Sequence, residues 1–250
     1  MIYQSYVPTK EFRQKRSLIR HRVSLVRNRI LLQNKVHSLI DKYDYKTELT
    51  DVFGRSGMNW IRSLQLDPID NIIMKTTLAV IDNINIQIEI ISKEIAKYAW
   101  ESEDVKLILS LTGIDVFSAM LIFTEIVDIR RFSTPWKLVS YAGLVPSIRE
   151  SSGKVKYGKI TKQGSLWLRW ILVQCAMTAV RYDELFRTFY ERLKIRKGHG
   201  KAIVATAKEI LVIIWYMLTR QELYRYVNRQ RYEQKLSNLK KIKEEEQMVT

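Results

Sequence analysis

Apolar residues in the first hundred positions recur at helical spacing. Leu18, Leu25, Leu32 and Leu39 stand seven residues apart, the repeat of a coiled-coil seam, and predict one long helix over residues 11–43. Ile73, Val80, Ile84, Ile88, Ile91 and Ile95 keep three-, four- and seven-residue steps and predict a second long helix over 69–100. Between them, residues 44–67 carry Gly54 and Gly57 and read as a loop-rich connection. Two amphipathic helices joined this way predict an antiparallel hairpin, with a coiled coil that dimerises.

Past residue 101 the apolar spacing predicts shorter, packed helices as far as residue 222, and then a charged, helix-prone tail. The expected organisation is a basic coiled-coil hairpin over 1–103, a compact domain over 104–222 and the tail over 223–250. With 46% hydrophobic residues, a chain of 250 can bury one or two cores. Four prolines leave long stretches without a breaker, so the expected fold class is mainly α. The glycines cluster between Gly113 and Gly164, which marks that stretch as the place for special backbone.

Charge adds a partner. The formal net charge is +16, which favours polyanions because each Lys or Arg that meets a phosphate releases condensed counterions. Up to residue 42, Lys and Arg outnumber Asp and Glu ten to two. That helix reads equally as a solvated basic face or as a nucleic-acid contact. Arg22 and Arg29 lie beside the leucine seam, where they could snorkel outward, pair with carboxylates or meet phosphates. A second cluster, Arg187, Arg192, Lys194, Arg196, Lys197, His199 and Lys201, flanks Gly198 and Gly200 and could hold a phosphate backbone.

Other chemistry is thin. Cys175 lies in an apolar run and reads as a buried thiol, with no partner for an internal disulfide. His21, His37 and His199 fall in separate segments, so no zinc site is expected. The opening residues do not form a signal peptide, and the most apolar run, Ile203 to Leu218, is interrupted by Lys208 and Glu209. The expected location is cytoplasmic, at the nucleoid, without a membrane.

Two segments carry motifs. Leu111-Thr112-Gly113-Ile114-Asp115 reads as helix, tight turn, helix, the pattern of a helix-hairpin-helix. Backbone N–H groups at such a turn can meet a phosphate, but Asp115 repels one and makes a good N-cap, so both readings stand. The stretch from Tyr141 to Gly164 is polar and punctuated by glycine, and predicts a small β-hairpin with Ser151-Ser152-Gly153-Lys154 at its tip. Arg149, Lys154, Lys156, Lys159 and Lys162 surround the serines, with Arg169 following. Cations near a serine hydroxyl stabilise a phosphoryl transition state, though a tip of this composition is also an ordinary turn. Trp167, Trp170 and Tyr182 are expected in the core rather than as stacking platforms.

Taken together, several stretches from about Leu107 to Tyr224 resemble the C-terminal domain of insertion-sequence transposases of the IS110 and IS1111 type. They are Leu111-Thr112-Gly113-Ile114, Glu125 to Phe132, Tyr141-Ala142-Gly143-Leu144-Val145-Pro146, Ser151-Ser152-Gly153-Lys154, Gly158 to Gly164 with Leu168-Arg169, and Phe189 to Lys194. The resemblance implies a DNA transposase in which a serine of this domain attacks DNA phosphorus and a RuvC-like acidic domain binds Mg²⁺. By motif position the nucleophile is Ser152, with Ser151 as the alternative. It also implies a structured RNA partner and makes Glu125 and Asp128 structural. Arg149, Lys154, Lys156, Lys159, Lys162, Arg169, Arg192, Lys194, Lys197 and Lys201 become the expected nucleic-acid contacts. Two departures follow. Tyr6-Val7-Pro8 resembles the segment after the acidic domain, so a front-truncated chain with no metal site of its own is expected, incomplete as a catalyst. Gly164-Ser165 replaces the more usual Gly-Asn. The alternative is a non-catalytic nucleic-acid-binding remnant or a regulator of an intact transposase.

Overall fold

The computed structural model describes residues 6–151 and 154–247. The side chains of residues 148–157, 159 and 245–247 lie outside the description. Among the described residues there are ten α-helices, one 3-10 turn and one two-stranded sheet. The order is α1 (Lys10–Lys42), α2 (Arg55–Ser63), α3 (Pro68–Glu101), α4 (Glu103–Leu109), α5 (Val116–Ile126), the 3-10 turn Ile129–Arg131, α6 (Pro135–Tyr141), β1 (Pro146–Ser151), β2 (Lys154–Ile160), α7 (Leu166–Tyr182), α8 (Glu184–Lys197), α9 (His199–Arg220) and α10 (Arg229–Gln247). The fold is mainly α, as the spacing predicts. Two units divide the chain: Arg20–Lys93, and Met1–Ile19 with Glu94–Thr250.

In the hairpin unit (Arg20–Lys93), α1 and α3 run antiparallel. Arg22 reaches Ser92, Arg29 reaches Asn85 and Lys42 reaches Asp70, so one helix descends as the other climbs. The predicted leucine seam flanks the buried row rather than forming it. Within this unit, Leu25, Leu32 and Leu39 are only half-buried, whereas Val23, Val36 and Ile40 are buried. On α3 the buried row is Met74, Ile81 and Ile88, while Val80 is 49% exposed. The reason is α2, which the glycine-marked connection concealed. Ile61 is buried, and half-buried Trp60 and Met58 pack on the same core as Val36, Ile40, Met74, Leu78 and Ile81. A third helix rotates the optimal contact face away from a simple two-helix seam.

The larger unit is built around α9, which packs against α6, α7, α8 and α4. Ala202 and Ala207 are fully buried on it, and small side chains let neighbouring helices approach closely. Among the described helices, α9 is long and apolar enough to cross a membrane by length and composition. In this fold its apolar face, including Ile210, Leu211 and Ile214, is core. Most helix starts here are legible as caps. Ser102 accepts from Val105 N, Asp115 from Ser118 N, Thr134 from Lys137 N ahead of Pro135, Ser165 from Leu168 N, and Asp183 from Leu185 N and Phe186 N. The tail helix α10 returns to the α4–α5 turn, where Lys235 Nζ donates to Leu109 O at 2.8 Å and Ile114 O at 2.7 Å.

Candidate functional site

β1 and β2 pair antiparallel, with Arg149 opposite Lys156 and Ser151 opposite Lys154. A register shift between Pro146 and Ile148 interrupts the ladder. The leading serine, Ser152, and Gly153 lie outside the described residues. For Ser151, Arg149, Lys154, Lys156 and Lys159 the backbone is described and the side chains are not. The root of this hairpin, by contrast, is fully described.

The root is made where two irregular segments cross. After α6 the chain reverses at Gly143, whose φ is +66°. The returning leg bonds to it three times: Thr161 N to Val145 O at 2.9 Å, Lys162 N to Gly143 O at 3.3 Å and Ser165 N to Tyr141 O at 2.8 Å. Lys162 sits at φ +56° and Gly164 at φ +117°. A Cβ on Gly164 would stand 2.1 Å from Tyr141 O, so only glycine permits this approach.

Arg169, one turn into α7, closes the root. Its Nη1 donates to Ala142 O at 3.0 Å and to Lys162 O at 3.2 Å. Those carbonyls have no ladder partner because the backbone turns there, and a guanidinium can answer both at once. Arg169 is thereby engaged at the hairpin's root, a role that the sequence reading did not give it.

Below the root, Glu125 is buried at 1% exposure. Ser165 Oγ donates to Glu125 Oε2 at 2.9 Å, and Arg16 Nε stands 3.6 Å from its Oε1. Arg16 also donates to Thr124 O from both Nε and Nη2. Ser165 therefore does two jobs: it caps α7 and ties that cap to α5. Arg131 donates to Ile126 O, with the rings of Tyr6, Phe132 and Tyr141 all within 4.7 Å of its guanidinium carbon. Asp128 is spent elsewhere, capping the 3-10 turn through Arg130 N and pairing with the Arg130 side chain, which holds its carboxyl below the usual range.

Those bonds bear on metal binding. Among the described residues no three His, Cys, Asp or Glu converge. Glu125 is committed to Ser165 and Arg16, and Asp128 to Arg130. Among the described residues, these side chains do not fit a Mg²⁺ ion.

The remaining expected contacts separate into two groups. Lys162 is exposed at the hairpin root. Arg192, Lys194, Lys197 and Lys201 are exposed at the corner where α8 ends and α9 begins. That corner is fixed from inside by a 2.6 Å bond between Tyr190 Oη and His199 Nδ1. Lys194 is 3.4 Å from Glu191, a surface pair. The α4–α5 turn is structural on the described geometry. Asp115 occupies the first-turn N–H of Ser118, and Gly113 lies so close to α7 that a Cβ would be 2.6 Å from Ala179 N. Cys175 is buried, and burial pushes its thiol up to about 12. Tyr182 departs from expectation: it is 60% exposed, with the Arg231 guanidinium over its ring.

Sequence reasoning missed the Ser165–Glu125 bond and the Arg169 clamp. The available signal was the exceptional backbone between two glycines, which needs a donor nearby for its stranded carbonyls.

Part of this chain is similar to known proteins. Residues 105–191 match the profile of the "Transposase IS116/IS110/IS902 family". The chain is 26% identical over 230 residues to the transposase for insertion sequence element IS1111A of Coxiella burnetii, covering 87% of this chain and 62% of that protein. It is 24% identical over 233 residues to a probable family 20 transposase of Pseudomonas aeruginosa, covering 88% and 68% respectively. An insertion element IS900 uncharacterized 42 kDa protein of Mycobacterium paratuberculosis is 31% identical over 124 residues, 48% of this chain and 30% of that protein. The chain thus spans about three fifths of the IS1111A transposase. The match to IS110/IS1111-type transposases is at family level and covers the central and C-terminal stretch.

Proposed function

From that family-level match, we propose that the chain is the serine-bearing part of a DNA transposase that breaks and rejoins DNA strands. The observation that carries the reading is the hairpin root. Glycine-only backbone, the Arg169 clamp and the buried Glu125–Ser165 tie hold a two-stranded arm whose tip sequence is Ser151-Ser152-Gly153-Lys154. A reacting group needs a rigid support of this kind, because small misplacement costs rate steeply.

The register gives further support. Arg149 and Lys156 are cross-strand neighbours, and like charges at such positions destabilise a hairpin until an anion lies across them. Duplex DNA supplies that anion. In the proposed step, the Ser152 oxygen attacks a backbone phosphorus, with Ser151 as the alternative nucleophile. An Oγ–P bond forms, a P–O bond of the strand breaks, and the serine proton ends on the departing oxygen. Lys154, Lys156, Lys159, Lys162 and Arg149 then stand near the developing charge. Arg192, Lys194, Lys197 and Lys201 contact the DNA backbone at the α8–α9 corner. A structured RNA partner, Mg²⁺ held by an acidic domain, and a cytoplasmic, nucleoid-associated location complete the reading. A second copy is placed along the outward side of α3, where Ile69, Ile72, Val80, Ile86 and Ile90 form an exposed apolar stripe at helical spacing.

The test is the covalent intermediate. With an acidic RuvC-like domain supplied in trans, wild type should form a protein–DNA adduct stable to denaturant. Ser152→Ala should abolish it while duplex binding stays within about twofold, since a hydroxyl contributes little to non-specific phosphate contact. An adduct that persists in Ser152→Ala removes Ser152 as the nucleophile. Persistence in Ser151→Ala/Ser152→Ala removes the serine mechanism. The non-catalytic alternative predicts binding without an adduct from any form.

A further inference from the structure

The hairpin unit has a cavity of its own, of about 330 Å³, lined from four segments. Phe53, Met58 and Ile81 give it an apolar side. Its polar lining is unbalanced. Arg29 comes from α1, Arg55 and Arg62 from α2, and one acid, Asp82, from α3. Gln33, Asn59 and Asn85 supply carboxamides. Asp82 pairs with Arg62 at 3.1 Å. Arg29 Nη1 donates to Asn85 Oδ1 at 3.0 Å, while its Nε is shut off from solvent without a hydrogen-bond partner. Among the described residues, Arg55 has no hydrogen-bond or ion-pair partner. At the start of α2, Gly54 offers no side-chain cap to the first-turn N–H groups.

Arg55 and Arg62 are exposed and Arg29 is half-buried, and an unanswered guanidinium nitrogen such as Arg29 Nε is uncommon in a folded protein. With three guanidinium groups against the one carboxylate of Asp82, the lining is short of negative charge, and an anion with several oxygens would supply it. Three guanidinium groups from two helices match a tetrahedral anion. We propose that the cavity is a phosphate site that takes a backbone phosphodiester of a nucleic-acid strand. The space holds a phosphate group with room for the sugar atoms that flank it in a strand, and it lies in a unit whose first helix is strongly basic. This site belongs to the helical hairpin, not to the serine-bearing arm, and gives the hairpin a direct grip on the strand. The inference rests on the nucleic-acid reading for the source of the phosphate and is independent of the serine chemistry.

The experiment uses the full chain and a short fluorescent duplex DNA of random sequence, with anisotropy titrations across a salt series. Asn59→Asp puts a carboxylate into the cavity. Asn28→Asp adds the same charge to α1 at a position that does not line it. Asn59→Asp should weaken binding about tenfold, and Asn28→Asp no more than about twofold. Arg55→Gln is the second cavity variant, in case Asn59→Asp lowers the melting temperature, and should reduce the salt slope by about 0.9, the value for one lost phosphate contact. Equal losses in Asn59→Asp and Asn28→Asp overturn the site, because overall charge would explain both. Inorganic phosphate that raises the melting temperature of wild type but not of Asn59→Asp, with DNA affinity unchanged among variants, overturns the strand as its source. Wild type that does not bind duplex at all removes the nucleic-acid reading itself.

Discussion

The two units differ in what their element-joining cations reach. In the hairpin unit, the cations reach side chains: Lys42 to Asp70, Arg62 to Asp82, Arg29 to Asn85, Arg22 to Ser92. In the larger unit the exposed cations pair with carboxylates near them in sequence, as Arg130 does with Asp128 and Lys194 with Glu191, while half-buried ones reach backbone carbonyls: Arg16 to Thr124, Arg131 to Ile126, Arg169 to Ala142 and Lys162, Lys235 to Leu109 and Ile114. The difference follows from the backbone. Long regular helices satisfy their own carbonyls and leave cations to pair across the surface. Short helices joined by tight turns strand carbonyls, and half-buried cations answer them. A half-buried basic residue beside a tight turn of the larger unit is therefore weaker support for a nucleic-acid contact than an exposed one.

The largest expected effect tests how far the glycine backbone governs the larger unit. Gly164→Ala adds a methyl group 2.1 Å from Tyr141 O, at a φ of +117°. Steric overlap and backbone strain each cost about 1–3 kcal/mol, so destabilisation of about 3–5 kcal/mol is expected. Thermal unfolding followed by circular dichroism measures it. A cost below about 1 kcal/mol would mean that the crossing of the two segments is not as close as described.

Arg169→Gln comes next and sharpens the contrast directly. Two charge-assisted bonds to stranded carbonyls are lost, for about 2–3 kcal/mol. If the clamp is its role, stability falls while the salt slope of DNA binding stays the same. A slope reduced by about 0.9 with stability intact would return Arg169 to the phosphate contacts. Lys197→Gln is the counterpart, exposed at the α8–α9 corner, and should do the reverse.

How much of this was legible follows the same divide. The long helices were readable because spacing repeats along many turns, and α1 and α3 fall within a residue or so of expectation. The contact face was not, since it depends on α2, a nine-residue helix hidden behind two glycines. The caps Ser165, Asp115 and Asp183 were within reach because capping is local chemistry. The serine-bearing tip was named only through resemblance, and no spacing rule separates it from an ordinary turn. The role of Arg169 could not be read at all. Its partners, Ala142 and Lys162, become neighbours only when the chain crosses itself, and a cation that meets a carbonyl looks in sequence like one that meets a phosphate.

The smallest effect lies in the hairpin and depends on pH. Asp70 Oδ2 accepts from Lys42 Nζ and from Tyr43 Oη, both at 2.6 Å. The hydrogen bonds from Lys42 and then Tyr43 hold the Asp70 carboxyl below its ordinary value of 3.8. The bond to Asp70 pushes the Tyr43 phenol up to about 12, and the same carboxylate raises Lys42. The signs differ at the two ends of the pH scale. A depressed carboxyl stabilises the fold above its unfolded pKa and loses that contribution as pH falls through the folded one, so the acid limb lies below 3.8. A raised phenol stabilises the protein below its unfolded pKa of 10.0, and that contribution fades between there and about 12, with Lys42 following in the same direction. Asp70→Asn removes the charge that drives all three shifts. The melting-temperature difference between wild type and Asp70→Asn should therefore be flat through neutral pH, shrink in strong acid and shrink again in strong alkali. A larger-unit cation held by carbonyls has no partner to titrate, so Arg169→Gln should give a difference without either limb. A flat Asp70→Asn difference from neutral pH down to strong acid would show that this cluster is solvated rather than paired, and the contrast between the units would then rest on the remaining side-chain pairs alone.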